Sequence, residues 1–206
     1  MSILFVLEMI GTVAFAVSGA LAASRKNMDI FGFFVLALMP AIGGGTLRDV
    51  ILDRNPVFWI ENPVYVTVAL ISAVIVFYAP YAPGARLRLL IWTDAMGLAL
   101  FAAMGTGISL AQGTGPLVAV MMGVTTAIAG GMIRDIICNE IPLVLARDVY
   151  ATAAFVTGLT YVLATTAGAG DQIALVVATV VGFTVRALAI VNDWQLPPPR
   201  VRKKQP

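Results

Sequence analysis

The 206-residue chain has no histidine, a single cysteine and few charged residues. Histidine is the commonest ligand for transition metals, and one cysteine, Cys138, is too few for an intramolecular disulfide. We therefore expect no cofactor, no zinc site and no redox chemistry. Only 12% of the residues are Lys, Arg, Asp or Glu, about half the share found in soluble domains. This shortage of charge excludes an ordinary soluble domain.

Apolar residues make up 60% of the chain, and the mean hydropathy is +0.94. A membrane-spanning helix needs about 20 mostly apolar residues. Seven windows meet this need, at about residues 2–23, 30–51, 63–82, 89–110, 115–138, 148–168 and 172–191. The first window lacks the basic start of a cleaved signal peptide, so we interpret it as a span. The sequence predicts an all-α membrane protein with seven transmembrane helices.

The two halves of the chain are related by a repeat with a spacing of 86 residues. Residues 8–56 and 94–142 align without a gap at twelve identical positions, and a Gly-Gly-x-x-Arg-Asp motif occurs in both. Apolar segments often resemble one another by chance, but this motif in one register needs another explanation. The spacing also exceeds the roughly 20 to 50 residues of solenoid repeats. Each copy holds three windows, an odd number, so the two copies must be inverted in the bilayer.

This repeat divides the chain. We expect a first three-helix repeat at residues 1–84, a second, inverted repeat at residues 85–169, a seventh helix at residues 170–192 and a basic cytoplasmic tail at residues 193–206.

The distribution of Lys and Arg predicts the orientation, because these residues accumulate on the cytoplasmic side. With the N-terminus outside, only Arg48 and Arg54 lie on the outer side. The inner side then holds Arg25, Lys26, Arg86, Arg88, Arg134, Arg147, Arg186, Arg200, Arg202, Lys203 and Lys204. We therefore expect a multi-pass protein of the cell membrane with a cytoplasmic C-terminus. We interpret the basic tail as the orientation signal. Membrane lipids are expected around the protein. The net charge of +2 gives no indication of a nucleic-acid partner.

Small residues cluster inside the second and fifth windows. The clusters are Gly43, Gly44 and Gly45 in the first copy and Ala129, Gly130 and Gly131 in the second. Each glycine inside a helix costs about 1 kcal/mol relative to alanine, so we expect helices 2 and 5 to be broken at these motifs. Unwound backbone at membrane depth must face protein or a water-filled cavity, which makes these positions candidates for a pore lining. The alternative is that the glycines only permit close helix packing.

Charged residues accompany both clusters. They are Arg48 and Asp49 in the first copy, Arg134 and Asp135 in the second, and the aligned acidic pair Glu8 and Asp94. Neighbouring helical residues point about 100° apart, so we expect each Arg and Asp to pair with a residue on another helix. Glu8 and Asp94 are the candidate partners in a gating network. The alternative for Arg48 and Arg134 is that their side chains extend to the headgroups, and for Arg186 this is the expected arrangement.

The segments Gly-Gly-Gly-Thr-Leu-Arg-Asp (43–49) and Ala-Gly-Gly-Met-Ile-Arg-Asp (129–135) resemble those of prokaryotic trimeric intracellular cation (TRIC) channels, and the resemblance covers nearly the whole chain. It implies a homotrimer with one pore per subunit for K⁺ and also Na⁺, lined by the kinked helices 2 and 5. It also implies a gating role for Arg134. The phosphoinositide binding of animal members is not transferred, because their Lys-Glu-Val sequence is missing here.

We interpret the chain as a passive channel, and one alternative stays open. Backbone carbonyls at broken helices could replace part of an ion's hydration shell. Inverted repeats with interrupted helices also recur in secondary carriers, and the same family has been labelled a glycine transporter, so a carrier of a small zwitterion such as glycine is the alternative. An enzyme is not expected, because the chain lacks histidine, a Gly-x-Ser-x-Gly motif and paired catalytic carboxylates.

Overall fold

The computed structural model describes residues 3–81, 84–146 and 149–196, and these are mostly helical. The helices are α1 (Ile3–Arg25), α2 (Ile30–Ile51), α3 (Phe58–Glu61), α4 (Val64–Tyr78), α5 (Ala85–Ala111), α6 (Pro116–Ile137), α7 (Ala151–Thr166) and α8 (Asp171–Val191), with a 3₁₀ turn at Leu143–Leu145. The predicted all-α fold is confirmed. Arg147 and residues 197–206, which include most of the predicted basic tail, lie outside the described residues.

Five helices are long and apolar enough to cross a membrane: α1, α2, α5, α6 and α8. Helices α4 and α7 are also apolar, but they have only 15 and 16 residues. At about 1.5 Å per residue such helices are shorter than the roughly 30 Å hydrocarbon layer. The protein is therefore a multi-pass membrane protein with five clear spans, and the count of seven stays a prediction.

The repeat extends to the turns that end α2 and α6. Asp53 and Asn139 occupy equivalent positions, and both adopt positive φ angles, 52° and 53°. Asp and Asn tolerate this left-handed conformation better than other non-glycine residues. At the start of α2 the Asp29 side chain accepts a hydrogen bond of 2.9 Å from the Gly32 amide, and Pro116 begins α6, where its missing N–H is not needed.

Reciprocal contacts relate the two copies of the repeat. The rings of Phe15 in α1 and Phe101 in α5 stack with centroids 5.2 Å apart. Each ring also packs against the glycine that precedes the other by four residues, Gly97 beside Phe15 and Gly11 beside Phe101. The phenylalanine of each copy thus contacts the glycine of the other copy, as expected for a pair related by a two-fold axis. The predicted domain boundaries remain a prediction.

Helices α2 and α6 are also in reciprocal contact, through Gly44 and Gly130. A Cβ atom on Gly44 would lie 2.0 Å from the Thr126 carbonyl oxygen, and one on Gly130 would lie 2.5 Å from the Pro40 carbonyl oxygen. Positions 40 and 126 are aligned, as are 44 and 130. The residue numbers in contact run in opposite directions along the chain, so the two helices are antiparallel.

The prediction of an unwound segment at the glycine motifs is wrong, and a kink of the helices there stays a prediction. Helix α2 is α-helical from Ile30 to Ile51 and α6 from Pro116 to Ile137, through both motifs. The physical reason is the contact between the two helices, since only a residue without a side chain lets the backbones approach this closely. Of the other small residues, a Cβ on Gly43 would lie 3.2 Å from the end of the Ile133 side chain, and the aligned Ala129 is only partly buried.

This contact predicts that Gly44→Ala destabilises the protein by about 1 to 3 kcal/mol, because the added methyl group forces the two backbones apart. Gly43→Ala is the matched control on the neighbouring residue, where only a flexible side-chain end must move. Thermal unfolding of the purified protein in detergent measures both. Equal melting temperatures for the two variants would contradict the close contact.

Candidate functional site

Charged side chains gather at the two opposite ends of the α2–α6 pair. The Arg48 cluster consists of Glu8, Arg48, Asp49, Arg54 and Tyr65, and the Arg134 cluster consists of Ser18, Asp94, Arg134, Asp135 and Tyr150. Because the helices are antiparallel and the residues of each Arg-Asp motif are near a helix C-terminus, the repeat places one cluster at each end.

The Arg134 cluster joins three helices around one buried guanidinium group. Arg134 donates from Nη1 to Oδ1 of Asp94 on α5, at 2.6 Å, and from Nε to Oδ1 of Asp135, at 2.8 Å. Nη1 also donates to the Ser18 hydroxyl on α1. Arg134 is 1% exposed and Asp94 is fully buried. A buried charge is tolerated when it is paired and hydrogen-bonded, and this cluster closes its end of the bundle with such pairs.

The Arg48 cluster repeats the pairing between the motif arginine and the adjacent aspartate. Arg48 donates from Nε to Oδ1 of Asp49, at 2.8 Å, just as Arg134 does to Asp135. Oδ2 of Asp49 accepts from the Phe58 amide at 3.0 Å, and Oδ2 of Asp135 accepts from the Leu143 amide at 3.1 Å. In each copy the aspartate therefore fixes both the preceding arginine and the segment that follows the helix.

The pairing of the motif arginine with a carboxylate from another helix differs between the two ends. Oε2 of Glu8 accepts a hydrogen bond from the Tyr65 hydroxyl, and no ion pair joins Glu8 to Arg48 among the residues described. The Arg48 guanidinium instead lies over the Phe58 ring, 5.7 Å from its centroid. At this end an open polar cavity of about 480 Å³ is lined by Glu8, Arg48, Arg54, Phe58, Glu61, Asn62, Tyr65, Phe101, Met104 and Ile108.

The predicted pairing of charges is correct only in part. Arg134 does pair with Asp94 on another helix, but both arginines also pair with the adjacent aspartate, which was not expected. A long arginine side chain can curl back to its neighbour even though the two Cβ atoms diverge. The extension to the headgroups that was expected for Arg186 is wrong, and the same alternative for Arg48 and Arg134 is not seen: Arg48, Arg134 and Arg186 are 4%, 1% and 1% exposed.

Glycines at aligned positions admit aromatic rings to the clusters. A Cβ on Gly45 would lie 2.6 Å from the Phe58 ring, and a Cβ on Gly131 would lie 3.0 Å from the Tyr150 hydroxyl. The three small residues of each motif therefore have different surroundings: the middle one contacts the other helix, and the third faces a charged cluster.

Four residues of the clusters were not predicted: Ser18, Arg54, Tyr65 and Tyr150. The repeat alignment could not find them, because Ser18 aligns with Met104 and Arg54 with Glu140. The two tyrosines are 85 residues apart, one short of the repeat spacing. A search that allowed this shift of one residue would have found an aromatic hydroxyl beside the start of α4 and of α7.

A more exposed ion pair links two loops beyond the Arg134 cluster. Glu140 lies 3.2 Å from Arg25 and 3.1 Å from Lys26. Burial on its own would raise the pKa of the Glu140 carboxyl, but the two cations lower it below its usual value. Since these side chains are about one-third exposed, water weakens the interaction.

The fold and the two clusters define a multi-pass helical membrane protein with buried ion pairs in its interior. The TRIC trimeric intracellular cation channel orthologue of Rhodobacter sphaeroides is 42% identical to this chain. Its structure matches with a TM-score of 0.90 and covers 94% of this chain and 100% of that one.

Two curated relatives match along almost the full length. A membrane protein of Vibrio cholerae is 40% identical over 95% of this chain and 82% of its own. The inner membrane protein YadS of Escherichia coli strain K12 is 38% identical over 93% of each chain. The family described as glycine transporter matches residues 5–81 and 91–166. The chain belongs to this family, which is the family of the TRIC channels.

Burial of the Arg134 cluster predicts a large effect on stability. Arg134→Ala leaves Asp94 and Asp135 buried without their cation, which costs about 3 to 5 kcal/mol of unfolding free energy. Arg25→Ala is the matched control, because its exposed ion pair with Glu140 contributes at most about 1 kcal/mol. Denaturant or thermal unfolding in detergent compares the two. A loss for Arg134→Ala no larger than that for Arg25→Ala would show that the cluster is hydrated.

Proposed function

We propose that the protein is a monovalent cation channel, passing K⁺ and also Na⁺, with one pore in each subunit of a homotrimer. The observation that carries the proposal is the pair of buried charged clusters at opposite ends of the bundle, with an open polar cavity at the Arg48 end and paired charges at the Arg134 end. Similarity to the Rhodobacter sphaeroides channel over the whole chain supports both the activity and the trimer.

The proposed path lies between the two copies of the repeat, beside α2 and α6. Gly44 and Gly130 do not line it in this conformation, because each packs on the backbone of the opposite helix. The other motif residues that we predicted for the pore and its gate, Gly45, Gly131 and the Arg-Asp pairs, are at or beside the clusters. We assign the structure to a closed state, with Arg134 as the gate.

A gate made of one arginine gives the proposed channel a source of voltage dependence. Moving one elementary charge through the full membrane potential changes the free energy by about 2.3 kcal/mol per 100 mV. Arg134 is held by Asp94 at 2.6 Å, so a displacement of Arg134 along the field must break this pair. We expect the N-terminus outside and the C-terminus in the cytoplasm, which places the Arg134 end on the cytoplasmic side.

Planar bilayer recording under asymmetric KCl and NaCl tests the activity. The purified protein should give unitary current steps with a reversal potential set by the cation gradient. Arg134→Gln, which removes the charge but keeps an amide donor, should raise the open probability several-fold, because the closed state loses an ion pair. Arg25→Gln should leave it unchanged. Absence of unitary steps from correctly assembled protein would refute the channel.

Transport of a small zwitterion such as glycine is the second candidate function. The cavity at the Arg48 end is lined by two guanidinium groups, Arg48 and Arg54, and two carboxylates, Glu8 and Glu61. Such a set could hold both charges of an amino acid, and the family description names a glycine transporter. Saturable uptake of labelled glycine into proteoliposomes, without unitary currents, would favour this carrier over the channel.

A further inference from the structure

We propose that Tyr150 is the alternative partner of Asp94, and that the Arg134 end opens when the Asp94 carboxylate exchanges Arg134 for the Tyr150 hydroxyl. The inference rests on the proposed channel function, which it extends by a positioning residue that acts on the gate through Asp94.

The argument starts from the composition of the two clusters. Besides the aspartate next to each motif arginine, each contains a carboxylate from the first helix of its copy, the motif arginine and a tyrosine: Glu8 with Arg48 and Tyr65, and Asp94 with Arg134 and Tyr150. Tyr65 belongs to the first turn of α4, and Tyr150 immediately precedes α7. Leaving aside the short helix α3, α4 and α7 are each the third helix of their copy of the repeat. The same three chemical groups therefore meet at both ends, supplied by corresponding helices.

The two ends show different pairings of these groups. At the Arg48 end the tyrosine holds the carboxylate, and the arginine has no carboxylate from another helix among the described residues. At the Arg134 end the arginine holds the carboxylate. Among the described residues, the Tyr150 hydroxyl and Oδ2 of Asp94 are both buried and make no hydrogen bond of good geometry, although the hydroxyl already lies close enough to Asp94 to interact with it. The two copies of the repeat thus show the two pairings side by side, tyrosine with carboxylate at the Arg48 end and arginine with carboxylate at the Arg134 end.

The three groups of the Arg134 end face the same small gap, beside Gly131. From the position of a Cβ on this glycine, the Tyr150 hydroxyl is 3.0 Å away, Oδ1 of Asp94 is 3.5 Å away and Nη2 of Arg134 is 3.8 Å away. The missing side chain leaves room for a small shift of the hydroxyl. The Arg186 guanidinium lies over the Tyr150 ring, 5.2 Å from its centroid, and keeps the ring at this place.

The chemistry of the exchange explains why a tyrosine is needed. If Arg134 left without a replacement, Asp94 would be a buried anion with no partner, which is strongly unfavourable. A phenol can donate one short, charge-assisted hydrogen bond to a carboxylate. Tyr150 therefore stabilises the open state more than the closed one, where its hydroxyl makes no hydrogen bond of good geometry. At the Arg48 end Tyr65 already makes this bond with Glu8.

A sequence difference between the two copies explains why the carboxylate pairs with arginine at one end and with tyrosine at the other. The Ser18 hydroxyl accepts from Arg134 and adds to the pull of Asp94. Its aligned residue is Met104, which lines the cavity at the Arg48 end and offers only a weak acceptor. Arginine pairing is therefore favoured at one end and tyrosine pairing at the other.

Bilayer recordings of Tyr150→Phe test the exchange. This variant keeps the ring and its contact with Arg186, so the closed state should fold as before. The open probability should fall about tenfold, which corresponds to about 1.4 kcal/mol, while the unitary conductance stays the same. Tyr161→Phe, at a buried tyrosine of α7 outside both clusters, is the control and should gate normally. An unchanged or raised open probability for Tyr150→Phe would overturn the proposal.

A second measurement does not depend on current. In the wild-type background, Tyr150→Phe removes a hydroxyl that makes no hydrogen bond of good geometry and should change the melting temperature little. In the Arg134→Gln background, where Asp94 needs the phenol, the same substitution should lower it. If the two substitutions change the melting temperature additively, the exchange is overturned. If the double variant fails to assemble, the bilayer recordings of Tyr150→Phe decide. Coupled stabilities in a protein without unitary currents would refute the channel function but not the exchange.

Discussion

The structure depends on the high cost of an unpaired charge in a medium without water. A carboxylate and a guanidinium group at membrane depth each need a partner, and the protein meets this need by bringing Arg134 within 2.6 Å of Asp94. This one requirement ties α5 to α6, and through Ser18 it also ties in α1. Any movement that opens this end must first supply another partner for the carboxylate. In the proposed channel, stability and gating are therefore two aspects of the same interaction.

The second constraint is the contact between α2 and α6, which fixes where the charges lie. Gly44 and Gly130 bring the two backbones together, and because the helices are antiparallel, the Arg-Asp pairs that follow the glycines are carried to opposite ends. Each aspartate then anchors the next segment through a backbone amide, Phe58 in one copy and Leu143 in the other. A short motif thus sets the helix contact, the position of the charge and the path of the following chain.

The sequence predicted the membrane class, five of the long spans and the aligned pairs of charged residues, because composition and an ungapped repeat report these directly. It predicted the wrong backbone at Gly43–Gly45, since a glycine run indicates either an unwound turn or a close contact, and only the partner helix decides between them. Glu8 and Asp94 were both predicted to be partners of the arginines; Asp94 does pair with Arg134, whereas Glu8 accepts from Tyr65. That error has a physical cause: Tyr65 is brought to Glu8 by the fold, and nothing in the repeat register marks it.

Ser18 and Met104 are aligned residues on aligned helices, and they are chemically unlike. Two identical halves facing opposite ways would have no preferred direction, since closing either end would be equally favourable. A hydroxyl in one half and a thioether in the other remove that degeneracy. This divergence is one of many between the duplicated segments, and it favours one end of a protein built from inverted copies as the end that stays paired at rest.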